Sequence, residues 1–330
     1  MLVHGFTAAL LVAGLLLIVL GWETGIEPVE GLVLLAVAVA LRPRPGRLPD
    51  GGPVLRRPDA PELFALIDEV AAVTGTTGVH AVAVSGDVNA AVTTYGIRRR
   101  RLLILGLGLW EVLEPQERVA LLGHELGHFA NGDLRHGALT HGALRSLALW
   151  VTALAPSRAT TVWDTLFNIV GHLPRCAAYG LLLLLDRLTL RASQRAEYQA
   201  DLGAARAGST AGAVGLMDRL LVSGSVEVEL RRESVAAQMT GGRAGHAARE
   251  AAEQGLWERI AAHLASVPEH EYERLRRVAA LRGHSVDDTH PPTHLRRQCL
   301  ERRAPERARV GYDGRRAAAV AREVIRHHAG

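Results

Sequence analysis

The N-terminal part of the chain alternates apolar and charged stretches in a pattern that predicts a membrane hairpin. Phe6 to Trp22 is a nearly unbroken apolar run, long enough to cross the hydrocarbon core as a helix. The acidic stretch Glu23 to Glu30 separates it from a shorter apolar run, Gly31 to Leu41. Arginines follow from Arg42 onwards, so the positive-inside rule places both ends of the hairpin in the cytoplasm. A cleaved signal peptide is the alternative, but no Lys or Arg precedes the first run.

A different periodicity follows a Pro/Gly-rich linker. Apolar positions after Pro61 recur at helical spacing and predict an amphipathic helix that ends near Gly75. His80 to Val84, Ala90 to Tyr95 and Leu102 to Leu105 have the composition of short strands. This pattern predicts a small β-sheet, one edge strand of which is free to pair with an extended peptide.

Two further apolar stretches, Ala138 to Pro156 and Thr165 to Leu185, lie in the middle of the chain. Both contain charges or helix breakers, so they fit either buried helices of a soluble domain or a second membrane pair. The next segment, Leu188 to Ala207, has the composition of a helix and is followed by a glycine.

Composition narrows the class of partner. The chain of 330 residues is 48% hydrophobic but only 4% aromatic, its 38 basic residues are all Arg, and its net charge is +4. The Arg clusters, of which Arg98 to Arg101 is the longest, lack interleaved aromatic residues. That composition disfavours nucleic acid as a partner, and it favours solvated faces and charge close to a membrane. Cys176 and Cys299 lie outside any CxxC pattern, so neither a disulfide framework nor a thiolate metal site is predicted.

The segment His124-Glu125-Leu126-Gly127-His128 carries the most specific chemistry. Pro115 suits the first turn of a helix that continues into this motif without a breaker. On that helix His124 and His128 share a face and can hold one metal ion, and Glu125 lies beside them as a base for water. The alternative is that these five residues match the metal-binding motif by chance. Such a match is less frequent on a segment that is itself predicted to be a helix.

A catalytic zinc site typically has three protein ligands, and Glu197 is the best downstream candidate for the third. Asp201 lies one helical turn further on, where it can hydrogen-bond a ligand histidine. By charge pattern alone the pair fits a solvated carboxylate face better, and the need of the motif for a third ligand reverses that preference. Glu197 must lie on the same membrane side as His124, so the chain between them crosses the membrane either twice or not at all. Two crossings are favoured.

These residues resemble the HtpX-type membrane zinc metalloproteases, relatives of the CAAX-processing prenyl endopeptidases. The resemblance rests on the motif of residues 124–128, the segment Glu197 to Asp201 and the membrane hairpin. Asn89-Ala90 is similar to a family strand near the substrate cleft, and the segment 289–293 with Arg296 is similar to a C-terminal His-Pro-Pro and Arg element.

The resemblance implies one zinc ion per chain, bound by His124, His128 and Glu197. It implies Glu125 as general base, His290 as an oxyanion stabiliser and Arg296 as support near the site. Asn89 and Ala90 would belong to the strand that binds substrate, and the partners would be protein or peptide substrates and the lipid bilayer. The segment Gly241 to Glu273 matches no family motif and has the composition of solvated helices.

The expected fold is mainly α with a small β-sheet, an α+β zincin-like metalloprotease domain, together with transmembrane helices. The expected protein is a multi-pass cell-membrane endopeptidase that acts in membrane-protein quality control, with its catalytic domain on the cytoplasmic face. The expected organisation is a transmembrane hairpin (1–42), a linker (43–61), the first part of the catalytic domain (62–137), a membrane-associated helical pair (138–186) and the second part of the catalytic domain (187–330).

Two rival functions stay open at this point. One is a membrane sensor or scaffold with a non-catalytic zinc site, against which Glu125 argues because a structural site needs no base. The other is a CAAX-type prenyl endopeptidase, for which four weakly apolar segments are too few to build a large chamber within the membrane. The pattern indicates neither the natural substrate nor the oligomeric state.

Overall fold

The structure, a computed structural model, is mainly helical with one small mixed sheet, which confirms that part of the predicted fold class. It describes residues 2–22, 25–41, 46–49, 52–131, 133–239, 259–260, 262, 266–281 and 291–326. The elements are α1 (Leu2–Leu20), α2 (Glu27–Leu41), β1 (Val54–Leu55), α3 (Pro61–Thr74), β2 (Ala81–Ser85), β3 (Ala90–Tyr95), β4 (Arg100–Gly106), α4 (Leu107–Trp110), α5 (Pro115–Ala130), α6 (Asp133–Ala153), α7 (Val162–Met239), α8 (Glu269–Leu281), α9 (Thr293–Glu301) and α10 (Gly314–Arg326).

The chain divides into two compact units. The first consists of Met1–Pro45 with Gly132–Ala192, and the second of Gly46–Asn131 with Ser193–Gly330. Each unit is therefore built from two separate stretches of chain. The predicted division at 42/43, 61/62, 137/138 and 186/187 remains a prediction.

In the first unit the apolar helices α1 and α2 pack against each other at two glycines. A methyl group added at Gly14 would lie 2.9 Å from the carbonyl oxygen of Gly31, so neither position has room for a larger side chain. Small residues at such a contact allow close approach of helix backbones, as in membrane bundles. Helix α6 packs on both, and the rings of Phe6 and Trp150 lie 5.4 Å apart.

The first unit exposes many large apolar side chains. Val19 and Leu20 on α1 are 67% and 72% exposed, and Trp163 on α7 is 77% exposed. Within the described ranges one helix, Val162–Gly224, is long and apolar enough to cross a membrane, and Gly5–Leu20 forms a shorter apolar helix. One candidate span is therefore found there, and the additional spans remain predictions.

The sheet belongs to the second unit and has the strand order β1-β2-β4-β3. Strands β2 and β4 are parallel, whereas β1 pairs with β2 and β3 pairs with β4 in antiparallel fashion. The three predicted strands agree with β2, β3 and β4 to within a few residues. Strand β1 was not predicted, because its two residues lie in the Pro/Gly-rich linker, and it exists through its pairing with β2.

Helices α3 and α5 pack together in the second unit. Helix α3 begins at Pro61 and ends at Thr74, in agreement with the predicted end near Gly75. Gly75 caps the helix, and its positive φ of 78° suits a residue without a side chain. Its apolar face is buried, with Leu63, Phe64 and Ile67 at 1% exposure or less. Burial of each such side chain contributes roughly 1.5–3 kcal/mol relative to leaving it in water.

The first turn of α3 is capped from the far end of the chain. Ala60 at its N-cap offers no side-chain hydrogen bond. Glu323 on α10 accepts hydrogen bonds from the backbone N–H groups of Glu62 and Leu63, each 3.0 Å long. This buried carboxylate satisfies donors that would otherwise be left without a partner.

Helix α7 is interrupted at Ser209, whose φ of 79° and ψ of 158° are not helical. The Ser209 hydroxyl accepts a hydrogen bond of 3.0 Å from the N–H of Gly212 and so starts the continuing helix. The carbonyl of Ala207, freed by the break, accepts hydrogen bonds from the N–H groups of Arg309 and Val310. The sequence predicts that this helix stops near Gly208. The structure has a break one residue later, at Ser209, and α7 continues beyond it.

Candidate metal centre

Helix α5 places both motif histidines on one face, as predicted. Pro115 occupies its first turn, and Glu114 and Glu117 form a reciprocal capping box at its N-terminus. The Nε2 atoms of His124 and His128 lie 3.3 Å apart. For tetrahedral zinc with bonds of about 2.0–2.1 Å, neighbouring donor atoms are about 3.3 Å apart. The separation of the two histidines therefore fits one shared ion.

Helix α7 brings the third predicted ligand to the same point. Glu197 is buried, and its carboxylate oxygens lie 3.7 Å from Nε2 of His124 and 3.6 Å from Nε2 of His128. Ligand atoms of these three residues all lie within 4.8 Å of one another. Two imidazole nitrogens and one carboxylate oxygen are the donor set of catalytic zinc sites, so the residues present fit that ion.

A seam of glycine and alanine lets α5 and α7 approach closely enough for these ligands to meet. A methyl group added at Gly123 would lie 2.9 Å from the Cα of Ala204, and one added at Gly127 would lie 2.9 Å from the Cα of Ala200. At Gly208 the same methyl group would lie 2.6 Å from the backbone nitrogen of Ala120. Larger side chains along this seam would separate the helix carrying the histidines from the helix carrying the glutamate.

Asp201 and Arg296 form a buried pair directly behind His124. Arg296 donates hydrogen bonds of 2.9 and 2.6 Å to the two oxygens of Asp201. The Nδ1 atom of His124 lies 3.0 Å from Asp201 and 3.3 Å from Arg296. Since arginine has no acceptor, the Nδ1–H of His124 donates its hydrogen bond to Asp201, and the Nε2 lone pair is left for a metal.

The charges of this pair are fixed by opposing effects. Burial raises the pKa of the Asp201 carboxyl, but hydrogen bonds from Arg296 and His124 outweigh it and lower the pKa to about 2. Burial lowers the pKa of Arg296, but the hydrogen bond and charge of Asp201 raise it overall. Asp201 is therefore ionised at neutral pH and accepts from both neighbours.

Arg296 also reaches the other carboxylates of the site. Its Nη1 atom lies 3.5 Å from an oxygen of Glu197, and the charge of Glu125 further raises its pKa. Glu125 is itself buried beside the histidines. One guanidinium thus supplies positive charge to Asp201, Glu197 and Glu125.

Two predicted substrate-strand residues lie at the start of β3, which is an edge of the described sheet. The carbonyl of Asn89 accepts a hydrogen bond of 2.9 Å from the N–H of Gly106, and its side-chain oxygen accepts one of 2.8 Å from the N–H of Ala90. Helix α5 packs against β3. The structure thus brings the sheet edge and the helix of the motif together. His290 lies outside the described residues.

The seam of glycine and alanine between α5 and α7, here called the glycine seam, was not predicted from the sequence. Its signal was available, because Gly123 and Gly127 are four residues apart and Ala200, Gly203, Ala204 and Ala207 recur at helical spacing on the other helix. Small residues in such register predict close helix contact. The contact of Arg296 with Asp201 left no local signal, since 95 residues separate them.

A helix with two histidines and a glutamate, completed by a carboxylate from a second helix beside a small sheet, is the arrangement of the metallopeptidase class. The chain belongs to peptidase family M48, whose model matches residues 59–304. It is similar to Protease HtpX of Pseudomonas putida strain W619, with 26% identity over 160 residues that cover 47% of this chain and 54% of that relative. Protease HtpX of strain GB-1 matches to the same extent. The matched segment spans about half the length of these relatives, and the predicted resemblance to HtpX-type metalloproteases is confirmed.

Proposed function

We propose that this chain is a membrane-anchored, zinc-dependent endopeptidase. The observation that carries the proposal is the convergence of ligand atoms of His124, His128 and Glu197 within 4.8 Å, beside the buried Glu125. Family membership supports peptide bonds as the substrate class. The donor set favours zinc, since imidazole with one carboxylate suits that ion.

Each site residue then has a defined task in hydrolysis. Zinc, when bound, supplies a Lewis acid that makes water nucleophilic near neutral pH. Glu125 accepts a proton from the attacking water and returns it to the leaving amine. Asp201 accepts a hydrogen bond from the Nδ1–H of His124 and so orients its ring. Arg296 keeps Asp201 ionised and balances the charge of Glu197. His290 is assigned the hydrogen bond to the oxyanion by the family resemblance.

Substrate peptide is proposed to bind in extended form along β3. Strand β3 is the outer partner of β4 in the described sheet, and α5 packs against it. An added strand gains backbone hydrogen bonds whatever its side chains, so this mode suits a peptidase of broad specificity. Ala90 begins the strand and Asn89 directly precedes it, so both would contact one end of the bound peptide.

The membrane location is proposed from the apolar surface of the first unit. Exposed apolar side chains on α1 and α7, together with the candidate span in Val162–Gly224, support burial in lipid. Arginines after Leu41 and at positions 187, 191 and 195 favour the cytoplasmic side for both flanks. An endopeptidase at this face would act in membrane-protein quality control.

The decisive experiment compares the wild-type protein with a Glu125→Gln variant in casein degradation, with metal analysis of both. Without the base the turnover should fall by about 10²–10⁴-fold, while the zinc-to-protein ratio should not change. Activity that survives in the purified variant would remove Glu125 from the mechanism. Zinc binding without activity in either protein would instead favour the sensor or scaffold.

A second variant tests the ligand set. Replacing Glu197 by Gln removes the charged donor, so the zinc-to-protein ratio should drop. An unchanged ratio would exclude Glu197 as a ligand. Reporter fusions after Arg47 and after Arg191 should both be cytoplasmic, and opposite sides would contradict the proposed topology.

A further inference from the structure

The turn between β3 and β4 and the first residue of β4, together residues 96–100, expose an apolar side chain among arginines. We call these residues the hairpin tip. Ile97 is 90% exposed, and Arg98, Arg99 and Arg100 are exposed as well. Apart from Gly96, the hairpin tip contains only this isoleucine and these arginines. The surface of the hairpin tip therefore consists of one isoleucine followed by three arginines.

The hairpin tip is a defined turn. The N–H of Arg99 donates a hydrogen bond of 3.0 Å to the carbonyl of Gly96, which places Ile97 and Arg98 at the apex. The neighbouring Arg101 has a different role. It donates to the hydroxyl of Thr76, and its guanidinium lies 4.6 Å from the ring centre of Phe129. Arg101 thus holds the base of the β3–β4 turn, whereas Arg98, Arg99 and Arg100 are exposed.

Two features of the hairpin tip are unfavourable for a turn surrounded only by water. Ile97 leaves almost its whole side chain exposed. Arg99 adopts a φ of 50°, a left-handed conformation that Gly, Asn or Asp adopts more readily. The side chain of Ile97 therefore gains nothing from burial in the fold, and an apolar apex among arginines points to an external partner.

An anionic lipid surface fits this chemistry. Arginine side chains bind phosphate groups, and an exposed isoleucine at the apex can enter the boundary between headgroups and acyl chains. The hairpin tip is also hydrogen-bonded to the chain just after the proposed membrane segment. The N–H of Gly96 donates a hydrogen bond of 2.9 Å to the carbonyl of Gly46, five residues after Leu41 at the end of α2, and Arg47 is exposed beside it.

We propose that the hairpin tip binds the anionic lipid headgroups of the membrane in which the chain is anchored, with Ile97 inserted at the interface. This contact would hold the edge strand β3 next to the bilayer surface. The inference rests on the proposed membrane association and not on peptidase activity. An acidic peptide would be attracted by the same arginines, but it would not need an apolar apex.

The test follows a fluorescent label at the hairpin tip of the full chain. In a Cys176→Ser, Cys299→Ser background, Ile97→Cys is labelled with an environment-sensitive dye. The matched control is Leu281→Cys, because Leu281 is also a strongly exposed apolar residue, at 85%. Each protein is reconstituted into vesicles of phosphatidylcholine alone or of an equal mixture with phosphatidylglycerol. Nitroxide-labelled lipid then quenches any dye at the interface.

The label at residue 97 should be quenched in the anionic vesicles and not in the neutral ones, and the label at residue 281 in neither. Neutralising the tip with Arg98→Gln, Arg99→Gln and Arg100→Gln should abolish the quenching, since each arginine contributes about fivefold to the contact equilibrium. The matched charge control replaces the exposed arginines 302, 303 and 307 by Gln and should retain it.

Flotation with the vesicles distinguishes the proposed lipid contact of the hairpin tip from the proposed membrane anchor. A chain that floats while the label at residue 97 stays unquenched, or is quenched equally in neutral vesicles, overturns the lipid contact and leaves the anchor. Equal quenching at residues 97 and 281 overturns it as well. A dye response that requires an added acidic peptide overturns it in favour of a peptide partner. A chain that floats with neither vesicle overturns the anchor and the lipid contact together.

Discussion

Asp201 accepts two hydrogen bonds from Arg296 and lies 3.0 Å from Nδ1 of His124, with its own side chain almost fully buried. This carboxylate joins α7, α9 and the helix of the HExxH motif at one point. Its two neighbours have distinct roles, because Arg296 keeps Asp201 ionised, whereas His124 donates a hydrogen bond to it and is thereby oriented. Removing the charge of Asp201 should therefore disturb both the metal ligand and the packing of α9.

An Asp201→Asn variant should bind zinc about 10–100-fold more weakly, since the outer partner of a ligand histidine fixes its orientation. Zinc affinity is measured by competition with a chromophoric chelator. The matched control is Asp218→Asn, whose carboxylate on the same helix bonds Arg276 at 2.7 Å and is not part of the metal centre. Equal affinities for wild type and Asp201→Asn would show that His124 is oriented by other contacts.

The low pKa of Asp201 makes a prediction about stability in acid. A carboxylate with a folded-state pKa of about 2, against an ordinary 3.8, stabilises the folded protein above pH 3.8 and loses this contribution as the pH falls towards 2. The contribution is about 2 kcal/mol. In zinc-free protein, the difference in free energy of unfolding between wild type and Asp201→Asn should shrink by that amount over this interval. A difference independent of pH would place the pKa of Asp201 near its ordinary value.

The glycine seam predicts an unusually costly alanine substitution. Gly127→Ala places a methyl group against the Cα of Ala200, so α5 and α7 must separate, which costs about 1–3 kcal/mol. Zinc affinity should fall together with thermal stability, because His128 is the next residue. The control is Gly224→Ala on α7, where nothing lies within 4 Å and alanine favours the helix. Unchanged zinc affinity in Gly127→Ala would mean that the ligands do not depend on this close contact.

The cap on α3 gives a prediction about stability away from the metal. Glu323→Gln replaces an ionised acceptor of two backbone hydrogen bonds by a neutral one. The free energy of unfolding should fall by about 1 kcal/mol, and the melting temperature should drop with it. Glu271→Gln is the control, since its ion pair with Arg274 lies on an exposed helix face and contributes little. A larger effect of the control than of Glu323→Gln would contradict a capping role.

The parts of the structure that follow from local rules were predictable from the sequence. Helix α5 and the shared face of its histidines follow from Pro115 and from the four-residue spacing of the motif. The strands from Ala81 onwards follow from β-branched and apolar composition. The choice of Glu197 needed the additional argument that a zinc site requires a third ligand.

The remaining parts depend on contacts between distant segments. Strand β1 has only two residues, too few to form a strand without a partner, so its existence depends on β2. The break in α7 at Ser209 is stabilised by backbone groups of Arg309 and Val310, a hundred positions later in the chain. The pairing of Arg296 with Asp201 is equally remote. No window of local sequence contains both members of any of these contacts.

The capping of α3 by Glu323 has a consequence for biosynthesis. The two residues of the contact Leu63–Glu323 are separated by 260 positions, and ribosomes add about 5–20 residues per second. Helix α3 therefore waits roughly 10–50 s after its own synthesis before its cap emerges. During that interval the N–H groups of Glu62 and Leu63 lack this acceptor. Completion of the second unit is thus a late event even though its first helix is made early.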